Sequence, residues 1–291
     1  MGFNFAGVNV LWDNDATLVD SEIIAMPHAV ASVFAYFESR GFERNIPSAR
    51  ERKIYEVQWA GKQISQMFEI VEGWVGHQIS DEERAALCAD DAARVIEALT
   101  EVQVIEGIRE ALAEVRDGGG TNSVVTSSSL LRVVPGLVNN DLVEFFTNGD
   151  SDPRIWSATE TLQADPRYGR AIPKSSQSPQ IYHYALEATN AQPGLVVAIE
   201  DSGSGVGAAV AAGIPVIGIT AASHILPKAR DAHAQGLIDK ASEVLGRPAT
   251  SKDILVVDHA YELSSAIGHI LELPPLGRMM GISLDGGNIT L

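Results

Sequence analysis

Six short apolar runs, separated from one another by helical stretches, restrict this chain to few architectures. They are "AGVNVLW" at 6–12, "SVVTSS" at 123–128, "RIWSA" at 154–158, "LVVAIEDS" at 195–202, "PVIGIT" at 215–220 and "DILVVD" at 253–258. Runs this short and this continuously apolar read as strands buried on both faces. Between them lie helical patterns such as "GIREALAEVRD", "SPQIYHYALEATN", "GVGAAVAAG" and "YELSSAIGHIL". Alternation of that kind predicts an α/β fold with a parallel sheet covered by helices on each side.

One stretch breaks the alternation. From Ser21 to about Thr100 no strand pattern occurs, and apolar residues recur at helical spacing over 23–42, 63–76 and 80–99. Gly41 is a stop for the first of these. Ser80 followed by Glu83 has the form of a capping box opening the third. The expected organisation is therefore a discontinuous α/β core, residues 1–20 and 101–291, with an all-helical insert at 21–100.

Charge and cysteine usage narrow the class further. With 38 acidic against 21 basic side chains the formal net charge is −17, which repels nucleic acid and anionic membranes, so neither is an expected partner. A single cysteine, Cys88, rules out an internal disulfide framework and cysteine-based zinc sites. The opening "MGFNFAGVNV" lacks a basic n-region, and no apolar run is long enough to span a bilayer. A cytoplasmic location is expected.

The chemistry collects where strands end, because ligands of an open parallel sheet sit at the carboxyl ends of its strands. The first run ends in Asp13-Asn14-Asp15-Ala16-Thr17, the second in Thr126-Ser127-Ser128-Ser129, and the fourth in Glu200-Asp201-Ser202. Four carboxylates and a row of hydroxyls would meet at one sheet edge, a hard-oxygen set of the kind that suits Mg²⁺.

Those three segments, in that order, resemble the motifs of the haloacid dehalogenase superfamily, and the likeness runs over most of the chain. Asp13-Asn14-Asp15-Ala16-Thr17 matches its Asp-x-Asp-Gly-Thr motif, Thr126 its hydroxyl-bearing strand end, and "VVAIEDSGSGVGAAVAAGIPVIGIT" its acidic fourth motif. "LVDSE" follows as in members with a helical cap inserted after the first strand, the phosphoglycolate phosphatase and β-phosphoglucomutase-like group. The resemblance implies a Rossmann-like core and a Mg²⁺-dependent phosphatase working through an aspartyl-phosphate on a small phosphorylated metabolite, a sugar phosphate or sugar-acid phosphate. It implies Asp13 as nucleophile and Asp15 as general acid and base. The metal would be held by Asp13, the backbone carbonyl of Asp15 and Asp201, with Glu200 behind them. Thr126 and Ser127 would bind phosphate oxygens.

Two departures stand out. Ala16 replaces the family's glycine. The family's Gly-Lys-Pro-x-Pro-Asp segment reads "IPKSSQSPQIY", leaving Lys174, the sole lysine between Lys62 and Lys228, as the group to balance charge between phosphate and carboxylates. Arg167 and Arg170 are the fallback donors. Lys62, in "WAGKQIS", falls where related caps place a specificity loop and is a candidate for a second anionic group. A sugar-phosphate mutase is disfavoured, because the family's mutase histidine falls near Ala25 here. A catalytically weak relative that only binds a metabolite or a partner stays open. "GSGVGA" at 203–208 also fits a dinucleotide fingerprint, but no acidic residue ends the next strand, so its glycines are read as allowing close helix packing. The seven histidines show no ligand spacing and are read as surface or core residues, and Trp59, Phe68 and Trp74 as cap core.

Overall fold

In the computed structural model, which describes residues 3–59, 64–147, 153–192 and 194–273, all six runs form strands. They are β1 (Asn9–Trp12), β2 (Thr121–Thr126), β3 (Ile155–Ser157), β4 (Val196–Glu200), β5 (Val216–Ile219) and β6 (Ile254–Val257). All neighbouring pairs are parallel, in the order β3-β2-β1-β4-β5-β6. The chain winds outward from β1 to β3 and returns to the other side of β1 with β4. That reversal opens a crevice at the carboxyl ends of β1 and β4. The first strand starts later than its apolar run because Ala6 and Gly7 turn, Gly7 at φ 81°.

Eleven helices are described: α1 (Glu22–Ser39), α2 (Lys53–Gln58), α3 (Ile64–Val75), α4 (Asp81–Ala98), α5 (Ile108–Asp117), α6 (Leu130–Asn139), α7 (Glu160–Ala164), α8 (Gln180–Ala188), α9 (Gly203–Ala211), α10 (Arg230–Leu245) and α11 (Leu263–Ile270). The sheet's two faces bury alternate residues of the same strands, as a period of two requires. Val10, Trp12, Val124, Val197 and Ile199 pack with α5, α6 and α11 on one side. Leu11, Val125, Ala198 and Val216 pack with α8, α9 and α10 on the other. Helix α10 has no counterpart in the sequence reading. It buries only Leu237 and Ala241 and carries Gly236 mid-way, so its apolar stripe is too thin to stand out.

Helices α1 to α4 fill the long connection after β1, and no strand lies among their described residues. Met26, Val33, Phe34, Phe37, Met67, Phe68 and Val71 make a separate apolar cluster there, in which Trp59 is also buried. Trp74 differs from expectation: it is 41% exposed and lies against Phe34, Tyr55 and Trp59 from outside. The foot of α4 leaves this cluster, and Val95 and Leu99 join the core under the sheet. Only half of the expected capping box forms. Ser80 Oγ accepts the Glu83 N–H at 3.2 Å, but the Glu83 carboxylate pairs with Arg40, a full charge that outbids a backbone amide.

The glycines after β4 act in packing. A Cβ on Gly205, at the start of α9, would fall within the Glu200 carboxylate, and one on Gly207 would press on Ser176 and Lys240. Because Glu200 is fully buried, it has nowhere to retreat. Gly205→Ala is expected to lower stability by about 1–3 kcal/mol through overpacking, read as a drop in the urea midpoint; an unchanged midpoint would show that Glu200 can yield.

Candidate active site

The register of β1 on β4 builds the site. Trp12 pairs with Ile199, and the Asp13 N–H donates to the Ile199 carbonyl at 3.0 Å, so Asp13 and Glu200 emerge side by side. Since Trp12 and Ile199 face one layer, the next residues face the other. A slip of one residue would separate the two carboxylates onto opposite faces.

Between them lies the ammonium of Lys174, its side chain 3% exposed. Nζ donates to Asp13 Oδ1 at 2.5 Å, to Glu200 Oε1 at 2.6 Å and to the Val125 carbonyl at 3.2 Å. The three donors of an ammonium are thus all used. Irregular backbone at 171–178 reaches in from outside the sheet to place it, and its own N–H donates to Ser127 Oγ at 3.0 Å. Arg167 is elsewhere, on the surface with Asp165 and Glu187, and Arg170 is exposed.

Asp201 completes the group: oxygens of Asp13, Glu200 and Asp201 all lie within 4.8 Å of one another. One ammonium cannot neutralise three buried carboxylates. Burial pushes Asp13 up to about 8 despite Lys174, and Glu200 and Asp15 add to the rise. Burial, with Asp13 and Glu200, holds Asp201 well above the usual carboxylate range. Lys174 is raised by Asp13 and Glu200 even though burial works against its charge. Glu200 Oε2 is buried with no hydrogen-bond partner, while Oε1 also accepts the Tyr182 hydroxyl at 2.5 Å. Hard oxygens, surplus negative charge and an unpartnered buried oxygen fit a small divalent cation.

Asp15 is separate. Its Oδ1 accepts Ser21 Oγ at 2.6 Å, its Oδ2 accepts Ser128 Oγ at 2.6 Å, and Arg132 Nη2 approaches Oδ1 at 3.3 Å. Burial would raise it, but Arg132 together with Ser128 and Ser21 holds it below the usual range. Its side chain is thus outside the three-carboxylate group; the metal role expected of it rests on its carbonyl. Between the two acids the loop turns on the Asn14 carbonyl, which accepts from Thr17, Leu18 and Val19. Ala16 sits at φ 59°, the left-handed region. That conformation costs a non-glycine residue about 1–2 kcal/mol. Its methyl, buried in the core cluster, returns about 0.8 kcal/mol.

Thr126 ends β2 nearly buried, its Oγ1 accepting the Ser128 N–H at 3.0 Å. A cleft of about 1260 Å³ joins these residues to the α1–α4 layer. Thr126, Ser127, Asp13, Asp15, Lys174 and Asp201 line it on the sheet side. Lys62 lies outside the described residues. Several lining groups were not anticipated. Arg132 comes from the first turns of α6, and His224 and His233 from beyond β5, His233 Nε2 lying 2.6 Å from the Asp201 carbonyl. For Arg132 and His224 the signal was positional, since each follows a strand's carboxyl end; His233 had none, because it lies on α10. Tyr182 gave no such signal, because α8 presents it from behind the sheet.

Removing the ammonium leaves buried charge unpaired. Lys174→Met is expected to cost on the order of 3–5 kcal/mol at alkaline pH. The penalty shrinks as pH falls from the alkaline range towards about 8, because burial without Lys174 raises Asp13 further and its carboxyl takes up a proton sooner than in the native protein. Chemical denaturation at two pH values reads both.

Residues 9–213 match the family model of a haloacid dehalogenase-like hydrolase. Among solved structures, the chain is similar to a conserved haloacid dehalogenase-like protein of unknown function from Agrobacterium tumefaciens, at 26% identity and TM-score 0.64, covering 92% of this chain and 99% of that one. A haloacid dehalogenase-family hydrolase from Deinococcus radiodurans, bound to phosphate and sodium, is 23% identical at TM-score 0.61, with 94% and 99% covered. A predicted phosphoglycolate phosphatase from Haemophilus somnus shares the fold at 18% identity and TM-score 0.60, with 91% and 99% covered. Among curated proteins none matches.

Proposed function

The chain belongs to the haloacid dehalogenase-like hydrolases, and from that premise we propose that it is a Mg²⁺-dependent phosphomonoesterase for a small phosphorylated metabolite. The observation that carries this reading is the meeting of Asp13, Glu200 and Asp201 at the cleft, with one buried ammonium between the first two.

Asp13 attacks phosphorus in line, forming a bond from its carboxylate oxygen as the bond to the ester oxygen breaks. Lys174 engages one Asp13 oxygen and leaves the other for this attack. Asp15, ionised beside Arg132 before the ester arrives, takes the proton of a monoanionic phosphate ester and passes it to the departing oxygen. It then takes one from the water that attacks the aspartyl-phosphate, releasing inorganic phosphate and restoring Asp13. Thr126 and Ser127 hold the non-reacting phosphate oxygens. Asp13, Asp201 and the carbonyl of Asp15 would hold Mg²⁺, with Glu200 fixing Lys174 beside them. Bound there, the ion supplies charge neutralisation between carboxylate and phosphate and orients the ester.

Residues 21–100 act as the cap over a core of 1–20 and 101–291, and Ala25, Ala29, Ala92 and Val95 on its cleft side exclude water from a small substrate. Hydrolysis is favoured over mutase chemistry, because Ala25 lines the cleft whereas His28 is exposed and outside it. Adoption of the left-handed conformation by Ala16 favours an intact catalytic loop over a binding-only relative. No helix among the described residues is long and apolar enough to cross a membrane; the single cysteine is in keeping with a cytoplasmic place of work.

Turnover of p-nitrophenyl phosphate is expected only with Mg²⁺, and Asp13→Asn is expected to reduce it by on the order of a thousandfold or more; equal background in both proteins would sink the reading. A second expectation concerns pH. Asp13, raised from 3.8 to about 8, favours the cation-free fold while protonated and ceases to do so as pH rises through about 8. Cation-free protein therefore loses thermal stability progressively between roughly pH 4 and 8, and this contribution levels off above that. The rise in Tm on adding MgCl₂ grows over the same window, which melting curves with chelator or Mg²⁺ test directly.

A further inference from the structure

Arg132 is more available than its pairing suggests. It is the one arginine among the described residues lining the cleft, and Lys174, the other permanent cation there, has no donor to spare. Of the five N–H groups of a guanidinium, one reaches Asp15, at 3.3 Å, and the Nε is buried without a partner. Asp15 does not depend on that contact, since Ser21 and Ser128 each donate to it at 2.6 Å. Two more carboxylates face Arg132 electrostatically, Glu22 of α1 and Asp91 of α4. Asp91 already accepts from Ser32 Oγ at 2.7 Å. Arg132 keeps 27% of its side chain open to the cleft.

Position then gives the chemistry. On the reading above, which this inference rests on, Asp15 serves the ester oxygen. A group bonded to Asp15 therefore lies on the leaving-group side of phosphorus, away from Thr126, Ser127 and Lys174. A planar fork of N–H donors there matches an anion that accepts two bonds side by side. A carboxylate meets one guanidinium charge for charge. A second phosphate would bring about two negative charges beside Glu22 and Asp91. We propose that Arg132 is the specificity-determining residue of this site, binding a carboxylate that the leaving group carries next to its phosphorylated carbon. The substrate class becomes a small phosphorylated hydroxy acid.

A matched set of esters tests this: 2-phosphoglycolate, 2-hydroxyethyl phosphate and 1,2-ethanediol bisphosphate carry a carboxylate, a hydroxymethyl group or a phosphorylated hydroxymethyl group on the phosphorylated carbon. Native protein with Mg²⁺ is expected to favour 2-phosphoglycolate over the hydroxyethyl ester by at least about tenfold in kcat/KM, mostly through KM. In Arg132→Met that ratio falls close to one, whatever happens to the absolute rates. Arg132→Lys, which keeps the charge and loses the fork, gives an intermediate ratio. The native ratio needs no variant, so a misfolded substitution leaves the test standing. Turnover of the two esters without preference, or a ratio unchanged in a folded Arg132→Met, reduces Arg132 to a counter-ion of Asp15. Preference for the bisphosphate overturns the carboxylate. Turnover of none of the esters, nor of p-nitrophenyl phosphate, overturns the phosphatase reading and this inference together.

Discussion

One ammonium held between two buried carboxylates organises the carboxyl edge of the sheet. Lys174 touches Asp13 just past β1, Glu200 at the end of β4 and the Val125 carbonyl near the end of β2. Three neighbouring strands are thereby joined at their tips by a single side chain. Burying a charge costs far more than burying a neutral polar group, and only partners at hydrogen-bond distance offset that cost. The pairing is also incomplete. Asp201 adds a third carboxylate that Lys174 does not reach, and burial, together with the surplus negative charge, raises the proton affinity of Asp13 and Asp201. Strain of this sort is what a reactive centre retains and an ordinary core removes.

The helical layer answers a different need. Its own aromatic and aliphatic cluster lets α1 and α3 hold together beside the sheet, while the foot of α4 is anchored in the core below. Two separately packed bodies with a cleft between them can exclude water from one side without disturbing the strands that carry the carboxylates. The small residues on the cleft side of α1 and α4 leave room for a compact ligand, and Arg132 from the core side gives that space a charge of its own. Asp15 stands between the two regions, bonded to Ser21 at the start of the insert and to Ser128 after β2.

Much of this was legible because it is local. The parallel sheet followed from short apolar runs alternating with helical ones, and the insert from the absence of any strand pattern between Ser21 and Thr100. Asp13, Thr126, Glu200 and Asp201 were singled out because each ends a strand, and a parallel sheet gathers such ends at one edge. Lys174 was legible by scarcity, in a chain poor in lysine. What escaped notice was weakly patterned or distant. Helix α10 buries two residues and so leaves little periodic trace. Glu83 looked like half of a capping box until Arg40, 43 residues earlier in the chain, claimed its carboxylate. Tyr182 looked like any aromatic residue on an amphipathic helix.

The sequence by itself determined the layers, the order of the elements and which polar groups end the strands, because period, turn residues and strand-terminal polar groups are properties of neighbours along the chain. Only the tertiary structure decided which of those groups share a partner. Whether Lys174 lies between Asp13 and Glu200, whether Asp15 turns to Arg132 or to the other carboxylates, and whether a glycine at 205 makes room for Glu200 depend on strand register and helix packing to within about an ångström. Contacts of that kind join residues as many as 161 positions apart, and no local pattern encodes them, since the same residue types would suit many pairings until burial selects one.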